Sequence, residues 1–275
     1  MRSSSGTPLF EATGVRKEFG GVVAVDVDEI SIQPGTLVSL IGPNGAGKTT
    51  FFDTVTGFQP AKEGEVRFDG EAITGWEPYK IARRGLVRTF QLTRVLARMT
   101  VIDNMRLAAD DQPGERLYGQ FIPGAVRRKE AEITDRADSL LERFSLTHLR
   151  DEYAGRLSGG QKKLLELARG LMVRPRMMLL DEPMAGVNPA LGENLLHYVQ
   201  ELRDEGMTFL LVEHDMDVVM RVSERVIVMA AGRVIADGLP DQVRQDQRVI
   251  DAYLGEHAAE QIAAAEAHAR EARHE

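Results

Sequence analysis

Leu37-Val38-Ser39-Leu40-Ile41-Gly42-Pro43-Asn44-Gly45-Ala46-Gly47-Lys48-Thr49 is the stretch that decides the fold. Leu37 to Ile41 is continuous, largely apolar and bounded by Pro34-Gly35 and Gly42, so it reads as a short buried strand. Gly42 to Thr49 matches the pattern Gly-x-x-x-x-Gly-Lys-[Ser/Thr] in full, and Thr49 to Thr56 reads as the helix that follows. Strand, glycine loop and helix in that order make an anion cradle. The glycines let successive backbone N–H groups converge on a phosphate, and the helix N-terminus adds its positive dipole. Lys48 would hold the β- and γ-phosphates of ATP, and the Thr49 hydroxyl would ligate Mg²⁺. A plain glycine-rich turn would account for the glycines but not for a Lys-Thr pair at this spacing. The candidate nucleotide-binding set is Gly42, Pro43, Asn44, Gly45, Ala46, Gly47, Lys48, Thr49 and Thr50.

Working outward, Met177 to Leu180, Thr208 to Val212 and Val226 to Met229 are further short apolar runs. Helical patterns lie between them, at Gln161 to Arg174, which Pro175 stops, and at Pro189 to Glu205. Strands alternating with helices imply a largely parallel sheet covered on both faces. The expected fold is therefore α/β of the P-loop NTPase, RecA-like kind. Phe10 to Ile32 and Gly64 to Ile73 are strand-like and turn-rich, and predict a small antiparallel β subdomain. Thr100 to about Tyr153 is helical in pattern, with Ile133, Ala137, Leu140, Leu141 and Phe144 as its apolar stripe. It reads as a helical subdomain inserted into the sheet domain.

Composition narrows the function classes. The chain has 275 residues, a net charge of −8 and no cysteine. An acidic balance gives no sign of the basic face that sequence-independent nucleic-acid binding requires. The absence of cysteine excludes disulfides and thiolate metal sites and fits a reducing compartment. No apolar run approaches the ~20 residues of a membrane helix, and Met1 to Gly6 has no signal-peptide core. The expectation is a cytoplasmic protein. Arginines cluster at Arg83, Arg84, Arg88, Arg94 and Arg98, and again at Arg127 and Arg128 beside Lys129. From Glu256 onward the chain is rich in Ala and Glu and predicts a frayed helix or disordered tail. His257, His268 and His274 fall there without metal-ligand spacing.

Met177 to Glu182 supplies a second chemical element. A buried strand ending in Asp181 would deliver a carboxylate to the metal, and Glu182 is placed to polarise an attacking water as general base. Leu157-Ser158-Gly159-Gly160-Gln161 has capping-box spacing, which by itself describes a well-made helix start. Its functional reading is a second anion site made by Ser158, Gly159, Gly160 and Gln161. In the order phosphate loop, LSGGQ, apolar run with Asp-Glu, the chain resembles the ATP-binding subunits of ABC transporters from about Phe10 to Gly255. That resemblance implies two ATP sites at a dimer interface, with the LSGGQ segment of one subunit closing over ATP held by the other. It further implies that Gln91 contacts the metal and water, that His214 contacts the γ-phosphate, and that Phe19 stacks on adenine. Asn188 stands where many members have Asp. The domain boundaries that follow are 7–99 for the ATP-binding core with its β subdomain and 100–158 for the helical subdomain ending at LSGGQ. Residues 159–255 complete the core, and 256–275 form the tail.

Several stretches are similar to one branch. They are Arg88-Thr89-Phe90-Gln91, Met99 to Asn104, Ala185-Gly186-Val187-Asn188-Pro189, Glu213-His214-Asp215-Met216 and Ala252-Tyr253-Leu254-Gly255. They resemble the ATPases of bacterial branched-chain amino-acid uptake systems, and the helical insertion favours the larger of two sister ATPases. This implies a heterodimer with the sister subunit (a homodimer in isolation), transmembrane permease subunits and an external solute-binding protein. It also implies a peripheral place on the cytoplasmic face of the membrane. The Arg83 to Arg98 region would then face the permease near anionic lipid. Urea or amide importers and lipopolysaccharide exporters share much of this branch. Soluble ABC-type ATPases of DNA repair or translation are the rival class. They carry a long coiled-coil insertion or two ATPase units, and this sequence has neither. A regulatory subunit that binds ATP without hydrolysing it is disfavoured by Glu182 and His214.

Overall fold

A computed structural model describes residues 6–89, 95–110 and 123–254. Gln91, Arg94 and the 256–275 tail with its three histidines lie outside the described residues. Contacts divide the chain into two compact units. One comprises Met1–Gln33, Leu37–Gly75 and Val212–Glu275, and the other Pro34–Thr36 and Trp76–Leu211.

The first unit holds the expected antiparallel sheet. Strand β1 (Phe10–Phe19) pairs with β2 (Val22–Ile32) and with β4 (Glu63–Phe68), and β5 (Glu71–Ala72) closes the order β2-β1-β4-β5. Phe10 faces Ile32 on one side and Phe68 on the other. Phe10, Ala12, Val25, Val27, Val66 and Phe68 are buried, as a half-buried sheet requires. Strand β3 (Leu37–Ile41) is buried at every position. It runs parallel to β9 (Arg225–Ala230), which turns back into antiparallel β10 (Arg233–Gly238). Helix α1 (Lys48–Val55) buries Phe51 and Phe52. Helix α7 (Met216–Val222) starts at Asp215, whose carboxylate accepts from the N–H groups of Asp217 and Val218. Ile41, Val219, Val226, Val228 and Val243, the last from α8 (Pro240–Arg244), form one apolar cluster.

The second unit carries β6 (Leu86–Arg88), β7 (Met177–Asp181) and β8 (Thr208–Val212) in the order β8-β7-β6. Strands β6 and β7 are parallel, with Leu86 opposite Met177. Its helices are α2 (Pro78–Arg84), α3 (Val101–Leu107), α4 (Pro123–Arg143), α5 (Gly159–Leu171) and α6 (Pro189–Asp204). The predicted stripe on α4 is buried at Ile133, Ala137, Leu141 and Phe144, with Leu140 half-buried. Helix α5 stops at Leu171, three residues short of the boundary predicted from Pro175. Arg174 at φ 53 breaks the helical path first. The Arg136 guanidinium reaches from α4 to the carbonyls of Leu171 and Met172, at 2.5 and 3.2 Å, and satisfies helix-end groups that have no partner within α5. Asn104 is fully buried. Its amide bonds the N–H of Leu96 and the carbonyls of Leu96 and Thr100, which fixes the loop ahead of α3.

Candidate functional site: a phosphate loop, an acidic strand end and a capped helix

In the first unit, Gly42 to Thr49 leaves the end of β3 and enters α1, and two of its glycines are required by space as well as by torsion. Gly42 has φ 147, and a Cβ there would lie 2.0 Å from the Met229 carbonyl oxygen. Gly47 is the α1 N-cap at φ 100, and a Cβ there would lie 2.3 Å from the Ala24 carbonyl oxygen. The turn between β9 and β10 closes on the loop from outside. Gly232 N–H donates to the Ala46 carbonyl at 2.9 Å, and the Gly232 carbonyl accepts from Asp26 N–H at 2.8 Å. Arg233, next in sequence, holds the Asp26 carboxylate at 2.7 Å. Lys48 Nζ folds onto the loop, donating to the carbonyls of Gly42 at 2.6 Å and Pro43 at 3.0 Å. A phosphate group would compete for that ammonium with charge-assisted bonds stronger than those to neutral carbonyls. Backbone shaped for an anion, a lysine held against it and an exposed Thr49 hydroxyl fit a nucleotide phosphate chain with a hard cation.

Also in this unit, Phe19 ends β1 with 46% of its surface exposed and the Lys17 ammonium 4.9 Å from its ring centre. An aromatic face left open at a hairpin tip is available for stacking. His214 is exposed, and its neighbour Glu213 is buried with 1% exposure, its carboxylate 3.7 Å from His214 Nδ1. The Glu213 carboxylate also accepts from the His214 backbone N–H at 3.3 Å. Glu213 has no role assigned by the motifs in the sequence. It stands beside the histidine, which was its signal.

In the second unit, β7 delivers Asp181 with 1% exposure, and Arg88 from β6 meets it at 2.8 Å. Arg88 is itself 5% exposed. This corrects the picture of one arginine surface from Arg83 to Arg98, because Arg88 points into the sheet. Parallel pairing sets Arg88 beside Leu179, and the long side chain reaches Asp181 two residues on. Glu182 follows at φ 48, in the left-handed region that a non-glycine residue adopts at a cost of about 1–3 kcal/mol. Lys163 of α5 donates to the Glu182 carbonyl at 3.4 Å.

The predicted capping box is present in both directions. Ser158 accepts from Gln161 N–H at 3.3 Å, and the Gln161 side chain accepts from Ser158 N–H at 2.9 Å. Ser158 and Gly159 are exposed, so the first turn of α5 opens outward. Asn188 caps α6 by accepting from Ala190 N–H at 2.9 Å. Asp could accept the same bond, so the Asn in place of the family's frequent Asp keeps the helix start. Among the described residues, no cluster of His, Cys, Asp and Glu side chains forms a resident metal site.

Comparison with known proteins accords with these elements. A family model described as "ABC transporter" matches residues 25–185, and one described as "Branched-chain amino acid ATP-binding cassette transporter" matches residues 233–259. The chain is 43% identical over 251 residues to a high-affinity branched-chain amino acid transport ATP-binding protein of Pseudomonas aeruginosa, covering 90% of this chain and 98% of that one. It is 41% identical over 247 residues to a probable branched-chain amino acid transport ATP-binding protein of Archaeoglobus fulgidus, covering 90% and 95%. Among solved structures, a nucleotide-free ATP-binding cassette from an ABC transporter superposes with a TM-score of 0.78 at 38% identity, covering 90% of this chain and 99% of that one. A cassette in its ADP conformation superposes at 0.77 with 36% identity, covering 91% and 100%. With a phosphate loop, an acidic strand end and an LSGGQ helix all present, the chain belongs to the ATP-binding subunits of ABC transporters and is an ATPase.

Proposed function

We propose that this chain powers the uptake of branched-chain amino acids through separate permease subunits, at the cytoplasmic face of the membrane. The observation that carries this reading is the match of residues 233–259, outside the ATPase motifs, to the branched-chain model, together with relatives of that name along nine-tenths of the chain. Among the described residues no helix is long and apolar enough to cross a membrane, which fits a subunit that attaches to a permease.

In this reading Phe19 stacks on adenine, residues Gly42 to Thr50 hold the phosphates, and Lys48 leaves its loop carbonyls for the β- and γ-phosphates. Thr49 and Asp181, with Gln91, would hold Mg²⁺, which neutralises charge on the phosphate oxygens when bound. Glu182 takes the proton of the attacking water, and His214 contacts the γ-phosphate. Ser158 to Gln161 serve the nucleotide of a second ATP-binding subunit, either a sister chain or another copy. ATP then favours the closed pair only because it touches both subunits there. An external binding protein would deliver the amino acid.

Affinity purification from native membranes, with identification of the co-purifying chains, tests the assignment. A permease pair and a sister ATPase are expected; ribosomes or DNA-repair factors in their place would overturn it. Glu182→Gln should abolish turnover while leaving an ATP-stabilised dimer. Undiminished hydrolysis would remove Glu182 from its role.

A further inference from the structure

Helix α5 buries charged side chains among its apolar ones. Lys163 and Glu166 are 8% and 9% exposed. Burial pushes the Arg169 guanidinium down, and the Glu166 carboxylate opposes that shift. These three side chains recur every three residues, so they share one stripe of a helix whose remaining buried positions are leucine, alanine and glycine. Buried charge is costly unless paired, and apolar residues of similar volume often serve stability as well or better.

At its N-terminal end the stripe meets the backbone of Glu182. Lys163 Nζ donates to that carbonyl, which also accepts from Ala185 N–H at 3.1 Å. The left-handed torsion of Glu182 persists only while its surroundings hold it, and Lys163 is part of those surroundings. Lys163 lies five residues after Ser158, about 7.5 Å along the axis. A rigid helix therefore joins the exposed capping box to the loop bearing Glu182. A cleft lined by Thr89, Lys163, Glu166 and Pro183 lies alongside.

We propose that Lys163 is a positioning residue for Glu182, tying α5 to the backbone of that residue so that an anion engaged at Ser158 to Gln161 re-aims Glu182 within the same chain. In a paired assembly this links the two nucleotide sites, because the anion on α5 belongs to one site and Glu182 to the other. The inference rests on reading Glu182 as the general base and Ser158 to Gln161 as the trans anion site.

The test compares wild type, Lys163→Met, Lys163→Arg and Glu182→Gln as purified full-length chains, measuring ATP turnover against ATP concentration and the melting midpoint without nucleotide. For Lys163→Met we expect kcat to fall at least tenfold, KM for ATP to stay within twofold, and the midpoint to hold. Lys163→Arg should recover at least half of the wild-type kcat. Unchanged kcat for Lys163→Met overturns the proposal. So does a fall that tracks a lowered midpoint and is not rescued by arginine. Should Lys163→Met fail to fold, Lys163→Gln, with a donor on a shorter stem, carries the same two outcomes. If Glu182→Gln keeps its turnover, the reading of Glu182 fails. If Glu182→Gln is inactive while Lys163→Met is not, only the role of Lys163 fails.

Discussion

Replacing Arg88 with methionine would leave the Asp181 carboxylate at 1% exposure without the guanidinium that meets it at 2.8 Å. At that separation and an effective dielectric of about 20 the pair attracts by about 6 kcal/mol, most of it offset by the desolvation of both ions. Removing one partner of such a pair costs about 3–5 kcal/mol, because the remaining charge stays buried. At about 2–4 °C per kcal/mol for a large domain, the melting midpoint should fall by roughly 10 °C. Trp76, the single tryptophan, belongs to the same unit as the pair, so its fluorescence in a urea titration reports the loss where it occurs. Asp181→Asn removes the stranded charge. The double variant Arg88→Met/Asp181→Asn should therefore lose about 2 kcal/mol less than the sum of the single variants. Additivity within about 0.5 kcal/mol would refute the idea that the two side chains stabilise each other.

Gly47→Ala forces a methyl group to within 2.3 Å of the Ala24 carbonyl oxygen. Nucleotide affinity, measured by calorimetry, should fall at least tenfold along with stability. A Cβ added at Gly159 would meet, among the described residues, only the Gly186 carbonyl oxygen within 4 Å, at 3.7 Å, so Gly159→Val should fold and bind ATP like wild type. ATP-dependent dimerisation, followed by size-exclusion chromatography, should be lost; a dimer that still forms would contradict a trans role for the LSGGQ segment. Asn188→Ala should cost about 1 kcal/mol in urea denaturation through loss of the α6 cap, whereas Asn188→Asp should lie within about 0.5 kcal/mol of wild type.

Features whose causes are local in the chain could be read from sequence. Strand β3, the phosphate loop and α1 are specified by adjacent residues, as is the Ser158–Gln161 box, whose two bonds close within one turn. Strand β6 is only Leu86 to Arg88, too short to show a period, and it forms because β7 lies alongside. The partner of Arg88 is 93 positions away, and no local pattern connects them. The same holds for Arg136, whose role at the end of α5 depends on how α4 packs. Glu182 could be read as an acid after a strand. Its positive φ and its contact with Lys163 follow from the tertiary path of the loop.

The turn at Ala231-Gly232 has a practical consequence for dissecting this protein. Both residues have positive φ, and Gly232 is bonded to Ala46 in the phosphate loop and to Asp26 in β2. The nucleotide cradle is thus completed by residues almost two hundred positions downstream of it. A fragment ending before Arg225 would retain every residue of the Gly42 to Thr49 motif yet lose the clasp that shapes it. Split reporters, epitope insertions and circular permutants should accordingly keep Met229 to Arg233 continuous and unburdened. Conversely, a separately supplied peptide spanning 225–238 is the natural complement for restoring nucleotide binding to such a truncated chain.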